Sequence, residues 1–135
     1  MSVVIIIGLP GSGKTELCKK FASDGWVVFD DFISRFYDGK AISAMEKSAN
    51  ICLADPRLCL NNIFEQYMTI IKKYVDASNI RLILFDNDAY HCIINANQRV
   101  DHKRNIVDTI IKYSHRYNLY NYMSYNFEIK PVYCE

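Results

Sequence analysis

The most constraining feature of this chain is residues 8–15, which read Gly-Leu-Pro-Gly-Ser-Gly-Lys-Thr. Glycines at this spacing let a backbone curl tightly enough for several N–H groups to converge on one anion. The loop lies between an apolar run, Val3–Ile7, and a helix-like stretch at 14–22, and this strand–loop–helix context is the one in which the motif binds phosphate. The sequence therefore predicts a loop that holds the phosphates of a nucleoside triphosphate.

Each position of this phosphate loop has an expected role. The helix that follows offers its N-terminal amides and its dipole to the anion, and Lys14 reaches the outer phosphates as a point charge. The hydroxyl of Thr15 is expected to bind Mg²⁺, so the predicted ligands are Mg²⁺ with ATP or GTP. No Asn-Lys-x-Asp guanine motif is present to choose between the two nucleotides. The residues predicted to contact the nucleotide are Gly8, Pro10, Gly11, Ser12, Gly13, Lys14, Thr15 and Glu16.

Length and composition bound the remaining possibilities. A chain of 135 residues predicts a single domain over 1–135. No run approaches the roughly 18 to 20 apolar residues of a membrane span, and the N-terminal run resembles no signal peptide, so we expect a cytoplasmic protein that does not enter membranes. The five cysteines form no Cys-x-x-Cys pair and are expected to be reduced and mostly buried. Because the net charge is only +1, no strong electrostatic footprint for nucleic acid is expected.

Hydrophobic periodicity predicts the element order β-α-β-α-α-β-α-β. Strands are predicted at 3–7, 26–29, 80–85 and 127–134, and helices at 14–22, 41–54, 60–75 and about 101–117. Residues 89–100 fit either a short helix or a loop. Pro131 cannot donate to a sheet ladder and places the last strand at an edge. These elements predict a three-layer α/β fold with a parallel sheet of about four strands, in the order 2-3-1-4, flanked by helices.

Asp86 is the predicted metal carboxylate. It ends the apolar run Leu82-Ile83-Leu84-Phe85, the pattern in which an aspartate beside the phosphate loop holds Mg²⁺ directly or through water. The alternative is an aspartate that merely ends a strand. Motor-type ATPases place a catalytic glutamate next, whereas this chain has Asn87, which argues against that class.

Asp30 and Asp31 end the second predicted strand and should face the γ-phosphate from the same rim of the sheet. A phosphoryl transfer enzyme needs a carboxylate there to accept the proton of the attacking hydroxyl. The alternative is a cap for the helical segment that begins at Phe32.

These pieces resemble the small P-loop kinases related to polynucleotide kinase, zeta toxin and gluconate kinase. The matching segments are 8–15, Phe-Asp-Asp-Phe at 29–32 and Ile-Leu-Phe-Asp-Asn at 83–87, and the resemblance covers about the first 117 residues. It implies that Asp30 is the general base. The family's arginine, which binds substrate phosphate, corresponds to Arg35 in a slightly displaced position, and Asp31 joins it on the substrate side.

The resemblance also implies a lid. These kinases continue past the fourth strand into a helix whose arginines close on the phosphates, and this segment is expected to be missing here. Lid function is then predicted to come from Arg99, Lys103 or Arg104, from another protomer of a homo-oligomer, or from nowhere.

Taken together, the sequence predicts a P-loop kinase that moves the γ-phosphoryl group to a hydroxyl or phosphate of a nucleotide, a polynucleotide end or a small metabolite. The predicted catalytic residues are Lys14, Asp30, Arg99 and Arg104, with Thr15 and Asp86 on the metal. Two alternatives stay open: a non-catalytic nucleotide-binding module with a regulatory or assembly role, and a slow nucleotide hydrolase.

Overall fold

The computed structural model describes residues 1–99 and 105–134. They form one five-stranded parallel sheet flanked by helices, which confirms the predicted fold class. The strands are β1 (Val3–Ile7), β2 (Val27–Asp30), β3 (Ile51–Ala54), β4 (Ile80–Phe85) and β5 (Asn126–Lys130). The helices are α1 (Lys14–Ser23), α2 (Lys40–Glu46), α3 (Asn61–Ile71), α4 (Ala89–Asn97) and α5 (Ile106–Ser114). Short 3-10 turns lie at Phe32–Asp38, Pro56–Cys59, Ala77–Asn79 and Leu119–Tyr122.

The strand order is β2-β3-β1-β4-β5, so the sheet has one strand more than predicted. The register aligns Asp30 of β2 with Ala54 of β3, Ala54 with Ile6 of β1, and Ile6 with Ile83 of β4. β1 thus lies at the centre, with all five residues buried. The phosphate loop leaves its carboxyl end, where the ends of β3 and β4 are the immediate neighbours.

The prediction of one helix over 41–54 is wrong. The helix ends at Glu46, Ser48 takes a left-handed conformation (φ 58°), and Ile51–Ala54 is the fully buried strand β3. A short apolar run of four residues has no periodicity that separates a buried strand from a helical face. The missed strand also corrects the strand order: β3, and not the strand at 80–85, lies between β1 and β2, and β4 lies on the other side of β1.

The core forms where both faces of the sheet are covered. In α3 the buried side chains are Phe64, Met68 and Ile71, and the helix ends at Ile71, before the predicted end at residue 75. Phe64 packs edge-on against Tyr122 at 4.6 Å between ring centroids, and the Tyr122 hydroxyl donates to the carbonyl of Leu58 at 2.6 Å. Burying an aromatic ring whose hydroxyl is satisfied stabilises this side of the domain.

The C-terminal half refines several predicted bounds. Residues 89–97, which fit either a helix or a loop, form α4. α5 falls inside the predicted helix at 101–117, although 101–104 lie outside the described residues. β5 pairs only with β4 and stops at Lys130, just before Pro131, because proline cannot continue the ladder. No helix within 1–99 and 105–134 is both long and apolar enough to cross a membrane.

Candidate functional site

The phosphate loop has a backbone that only glycine supports. Gly11 and Gly13 have φ angles of 84° and 112°, in the left-handed region that penalises a Cβ. A Cβ on Gly11 would also lie 2.3 Å from the carbonyl oxygen of Cys92 in α4. A Cβ on Gly8 would lie 2.6 Å from Ser12 Oγ and 2.9 Å from Phe85 Cβ. The loop is therefore packed against the end of β4 and against α4, with no room for larger residues.

The loop fits an anion on two further observations. Helix α1 begins at Lys14 with Gly13 as its N-cap residue, and no side chain caps its first amides. Ser12 Oγ is fully buried and has no hydrogen-bond partner within the described part of the chain. Open helix N-terminal amides and an unpartnered buried hydroxyl both stabilise a bound anion when they point to the same place.

Lys14 is buried, with only 7 % of its surface exposed. Its ammonium donates to the carbonyl of Leu9 at 2.9 Å. Burial lowers the pKa of Lys14 from its ordinary value, and this effect is partly opposed by Cys59, Cys92, Asp30 and Asp31. The positive charge of Lys14 is therefore only partly compensated, and this favours the binding of a negatively charged ligand.

Thr15 and Asp30 meet at the start of α1. The Thr15 hydroxyl donates to Asp30 Oδ2 at 3.0 Å, and Asp30 Oδ1 accepts from the N–H of Asp31. The carboxyl end of β2 thus delivers its aspartate to the hydroxyl for which a magnesium role is predicted. Asp86 lies one residue beyond Phe85, at the exposed end of β4, so it is at the predicted rim but is not the hydrogen-bond partner of Thr15.

The predicted substrate residues Asp31 and Arg35 lie on the segment that follows β2. Asp31 has a left-handed backbone (φ 53°) and leads into the 3-10 helix Phe32–Asp38, in which Arg35 interrupts the helical geometry (φ −123°). Both side chains are exposed. The charge of Asp31 is the smallest of the effects that raise the pKa values of Lys14 and Arg57.

Asp55 is a buried carboxylate that the sequence reasoning missed. It follows β3, and its Oδ2 accepts from the N–H of Ile33 at 3.1 Å and from Arg57 Nη2 at 2.8 Å. Its Oδ1 accepts from the N–H and the Nε of Arg57, each at 2.9 Å. With both oxygens engaged and no exposed surface, Asp55 ties the segment after β2 to the segment after β3. The apolar run 51–54, followed directly by Asp55-Pro56, is the sequence signal that could have revealed an aspartate at the end of a buried strand.

Arg57 extends this connection to the rim. Its Nη2 also donates to Ser34 Oγ at 2.8 Å, and its side chain is 36 % exposed. Hydrogen bonding to Asp55 is the main reason that the pKa of Arg57 is raised. A guanidinium held in this way keeps its charge beside the segment that carries Asp31 and Arg35.

Helix α4 begins with a pair that the sequence did not single out. Asp88 caps the helix by accepting from the N–H of His91 at 3.1 Å, and its other oxygen lies 2.6 Å from His91 Nδ1. The hydrogen bond from the His91 N–H is the main cause of a lowered pKa of Asp88. Cys92, the next residue, is buried, and burial raises the pKa of its thiol to about 12. A thiol of this kind is no nucleophile at neutral pH.

One turn further along α4, Asn95 reaches the phosphate loop. Its side-chain amide nitrogen lies 2.9 Å from the carbonyl oxygen of Gly11 and 2.6 Å from that of Tyr133. Tyr133, in the segment after β5, donates its N–H to the carbonyl of Ser12 at 3.2 Å. Its Cβ lies 3.6 Å from where a Cβ of Gly13 would be, and the residue is 58 % exposed. An exposed aromatic ring thus lies beside the start of α1.

The predicted lid residues lie after α4. Arg99 is exposed and donates its N–H to the carbonyl of Ala96 at 3.2 Å. Lys103 and Arg104 lie outside the described residues, so their role, like the missing lid itself, stays a prediction. Within 1–99 and 105–134 no group of three or more His, Cys, Asp or Glu side chains could hold a metal alone. Mg²⁺ is commonly held by one or two carboxylates together with substrate phosphates.

Comparisons with known proteins agree with this arrangement. A family model described as an AAA domain matches residues 3–133. The chain is 38 % identical over 133 residues to an uncharacterized protein of Acanthamoeba polyphaga mimivirus, a match that covers 97 % of this chain and 96 % of that protein.

Two solved structures have a similar fold. A gluconokinase from Sinorhizobium meliloti has a TM-score of 0.62 at 10 % identity, over 99 % of this chain and 84 % of its own. A shikimate kinase from Bacteroides thetaiotaomicron has a TM-score of 0.56 at 14 % identity, over 97 % and 86 %. The chain therefore shares the fold of these two structures.

Proposed function

The chain belongs to the AAA domain family, and we propose that it binds a nucleoside triphosphate with Mg²⁺ and transfers the γ-phosphoryl group to an acceptor. The observation that carries this proposal is the loop itself. It joins left-handed glycines, an uncapped helix N-terminus and a buried ammonium at one point. Each of these three features stabilises a bound polyphosphate, and together they favour a polyphosphate as the ligand of the loop.

Thr15 and Asp30 are the residues that we assign to the metal. A hydroxyl and a carboxylate 3.0 Å apart are hard oxygen donors of the kind that Mg²⁺ prefers. When bound, the metal would supply charge neutralisation at the outer phosphates. Asp86, the metal carboxylate predicted from the sequence, is the second candidate, since it ends a strand that neighbours β1.

If Asp30 serves the metal, the proton acceptor must come from the same rim. We assign this role to Asp31, which follows Asp30 directly and is exposed to solvent. Asp30 as general base remains the alternative. The two assignments differ in their kinetics, because a metal ligand affects nucleotide binding whereas a base affects mainly turnover.

On the acceptor side, Arg35 offers an exposed positive charge on the segment that carries Asp31, whereas the charge of Arg57 is matched by the buried Asp55. This favours an acceptor that carries its own negative charge, among the predicted hydroxyl or phosphate acceptors on a nucleotide, a polynucleotide end or a small metabolite. The names of the two similar structures, a gluconokinase and a shikimate kinase, agree with a kinase but do not choose an acceptor. A cytoplasmic location and a homo-oligomer that supplies a lid cation belong to the same proposal.

The test begins with binding. Isothermal titration with ATP and GTP, with and without Mg²⁺, should give binding that requires the metal and disappears in Lys14→Ala. Product analysis with γ-labelled nucleotide and a panel of acceptors then decides the reaction. Label on an acceptor supports the kinase, label in inorganic phosphate alone would indicate a hydrolase, and binding without product would indicate a non-catalytic module. No binding of either nucleotide at millimolar concentration would refute the proposal.

Asp30→Asn and Asp31→Asn separate the two carboxylates. We expect Asp30→Asn to weaken metal-dependent binding and Asp31→Asn to leave binding within about twofold while turnover falls by roughly 10². The reverse pattern would return the base to Asp30.

A further inference from the structure

Two parts of the chain outside the phosphate loop, helix α4 and the segment after β5, hold the outer side of the loop. Asn95 of α4 lies within hydrogen-bond distance of two carbonyl oxygens, those of Gly11 and Tyr133, at 2.9 and 2.6 Å. Because carbonyl oxygens only accept, the –NH₂ of the Asn95 amide must face both of them, and both of its protons are used. The N–H of Tyr133 adds a third bond, to the carbonyl of Ser12 at 3.2 Å.

These bonds fix the direction of two peptide planes in the loop. In a trans peptide the C=O and the N–H of one unit point in opposite directions. With the Gly11 carbonyl turned toward Asn95, the N–H of Ser12 must turn inward, and it does so by donating to the Leu9 carbonyl at 3.1 Å. That carbonyl is also the acceptor of the Lys14 ammonium, so the inner side of the loop is the side of the catalytic lysine.

The same reasoning applies one residue later. With the Ser12 carbonyl turned toward Tyr133, the N–H of Gly13 turns toward the inner side as well. Because the Ser12 N–H already donates to the Leu9 carbonyl, the Gly13 N–H is the one of these two that is left to attract a phosphate, whereas a carbonyl oxygen that faced inward would repel it. Pinning the carbonyls on the outside therefore prepares the loop for an anion before any ligand arrives.

We propose that Asn95 is a positioning residue of the phosphate loop, which holds the Gly11 carbonyl outward and fastens the loop to the segment 131–134. The proposal rests on the proposed nucleotide binding. Asn95 acts through the backbone and is not assigned any contact with the nucleotide. Because the bonds lie on the phosphate side, the effect should be felt by any polyphosphate, with or without a nucleoside.

Asn95→Leu removes both donors at nearly constant volume and adds no charge. Asn97→Leu is the matched control, since Asn97 is the last residue of the same helix and is exposed. Asn95→Ser serves as a second variant in case the leucine disturbs the fold, which circular dichroism and thermal melting would show. The ligands are ATP and inorganic tripolyphosphate, each with Mg²⁺, titrated by calorimetry well below the melting temperature.

We expect Asn95→Leu to weaken ATP and tripolyphosphate by about the same factor, roughly 10-fold, as befits the loss of one to two hydrogen bonds. Asn97→Leu should bind like the wild type. A purely structural Asn95 would lower the melting temperature and leave both affinities unchanged, and that result would overturn the proposal. Weakening of ATP alone would overturn it too, because the nucleoside and not the loop would then be affected.

Hydrogen exchange gives a second readout that needs no ligand. Amides of the loop segment 8–15 should exchange faster in Asn95→Leu than in Asn97→Leu, because the outward bonds no longer restrain the loop. If wild-type protein binds neither ATP nor tripolyphosphate, the proposed function fails and this inference falls with it. If it binds both and Asn95→Leu binds equally well, only this inference fails.

Discussion

Lys14→Met should make the protein more stable and unable to bind nucleotide. The ammonium of Lys14 is buried, and within residues 1–99 and 105–134 its hydrogen bond is to the Leu9 carbonyl. Methionine has a similar length and fills the same space without a charge. The substitution therefore removes a desolvation cost that the ligand-free protein carries for the sake of binding.

The expected gain follows from two opposing terms. Removing a buried, incompletely compensated charge relieves several kcal/mol, and losing a hydrogen bond made by a charged donor costs about 1.5–3 kcal/mol. A net stabilisation of about 1–2 kcal/mol remains. For a chain of 135 residues, the average unfolding entropy converts each kcal/mol into roughly 4 °C of melting temperature, so a rise of about 4–8 °C is expected.

The pH dependence gives the sign an independent check. Burial lowers the pKa of Lys14 in the folded state below its value of 10.5 in the unfolded chain. Folding then favours the neutral amine, so the stability of the wild type rises with pH as Lys14 loses its proton between these two pKa values. The advantage of Lys14→Met should accordingly be largest at neutral pH and shrink as the solution becomes alkaline.

The assay is thermal unfolding of wild type, Lys14→Met and Lys20→Met, each with and without ATP and Mg²⁺. Lys20 is the control because it is exposed on the same helix. For the wild type, a ligand at 100 times its dissociation constant adds about 2.7 kcal/mol, and Lys14→Met should show almost none of this. A ligand-free melting temperature equal to or below that of the wild type would refute the argument from burial. A retained ligand shift would refute the assigned role of Lys14.

Three further predictions concern carboxylates and their partners. Asp30→Asn should weaken Mg²⁺-dependent nucleotide binding more than Asp86→Asn does, measured by titration at several Mg²⁺ concentrations; a larger effect of Asp86→Asn would restore the assignment made from the sequence. Arg57→Met should lower the free energy of unfolding, measured by urea denaturation, by about 2–4 kcal/mol, because it leaves the buried Asp55 carboxylate without its cation. A change below about 1 kcal/mol, the range of an exposed ion pair, would contradict this. Asp88→Asn should lower the free energy of unfolding at neutral pH, because folding lowers the pKa of the Asp88 carboxyl. Such a carboxyl stabilises the fold above its unfolded pKa and loses this effect as pH falls through its folded pKa. A difference in stability between the variant and the wild type that persists in acid would refute this explanation.

Local sequence determined the centre of the molecule. The run Val3–Ile7, the glycine spacing and the Lys-Thr pair predict a strand, a loop and the start of a helix within residues 3–15. Local chemistry is enough here because the loop's backbone geometry depends on its own glycines. The apolar run ending at Phe85 predicted the residues of β4, although not its place in the sheet, and the proline at 131 predicted the sheet edge. Local patterns carry such elements because each one is decided by its own side chains or by a missing N–H.

Tertiary structure decided what the local patterns left ambiguous. Ile51–Ala54 forms a strand because it pairs with the edge of β1, and no local sequence pattern shows that this edge is available for pairing. The hydrogen-bond partner of Thr15 depends on where β2 ends relative to α1, and the structure places Asp30 there. Asn95 lies 84 residues from the Gly11 carbonyl that it holds. Such a contact is created by the packing of α4 on the loop, because an asparagine on a helix carries no sign of its distant acceptor.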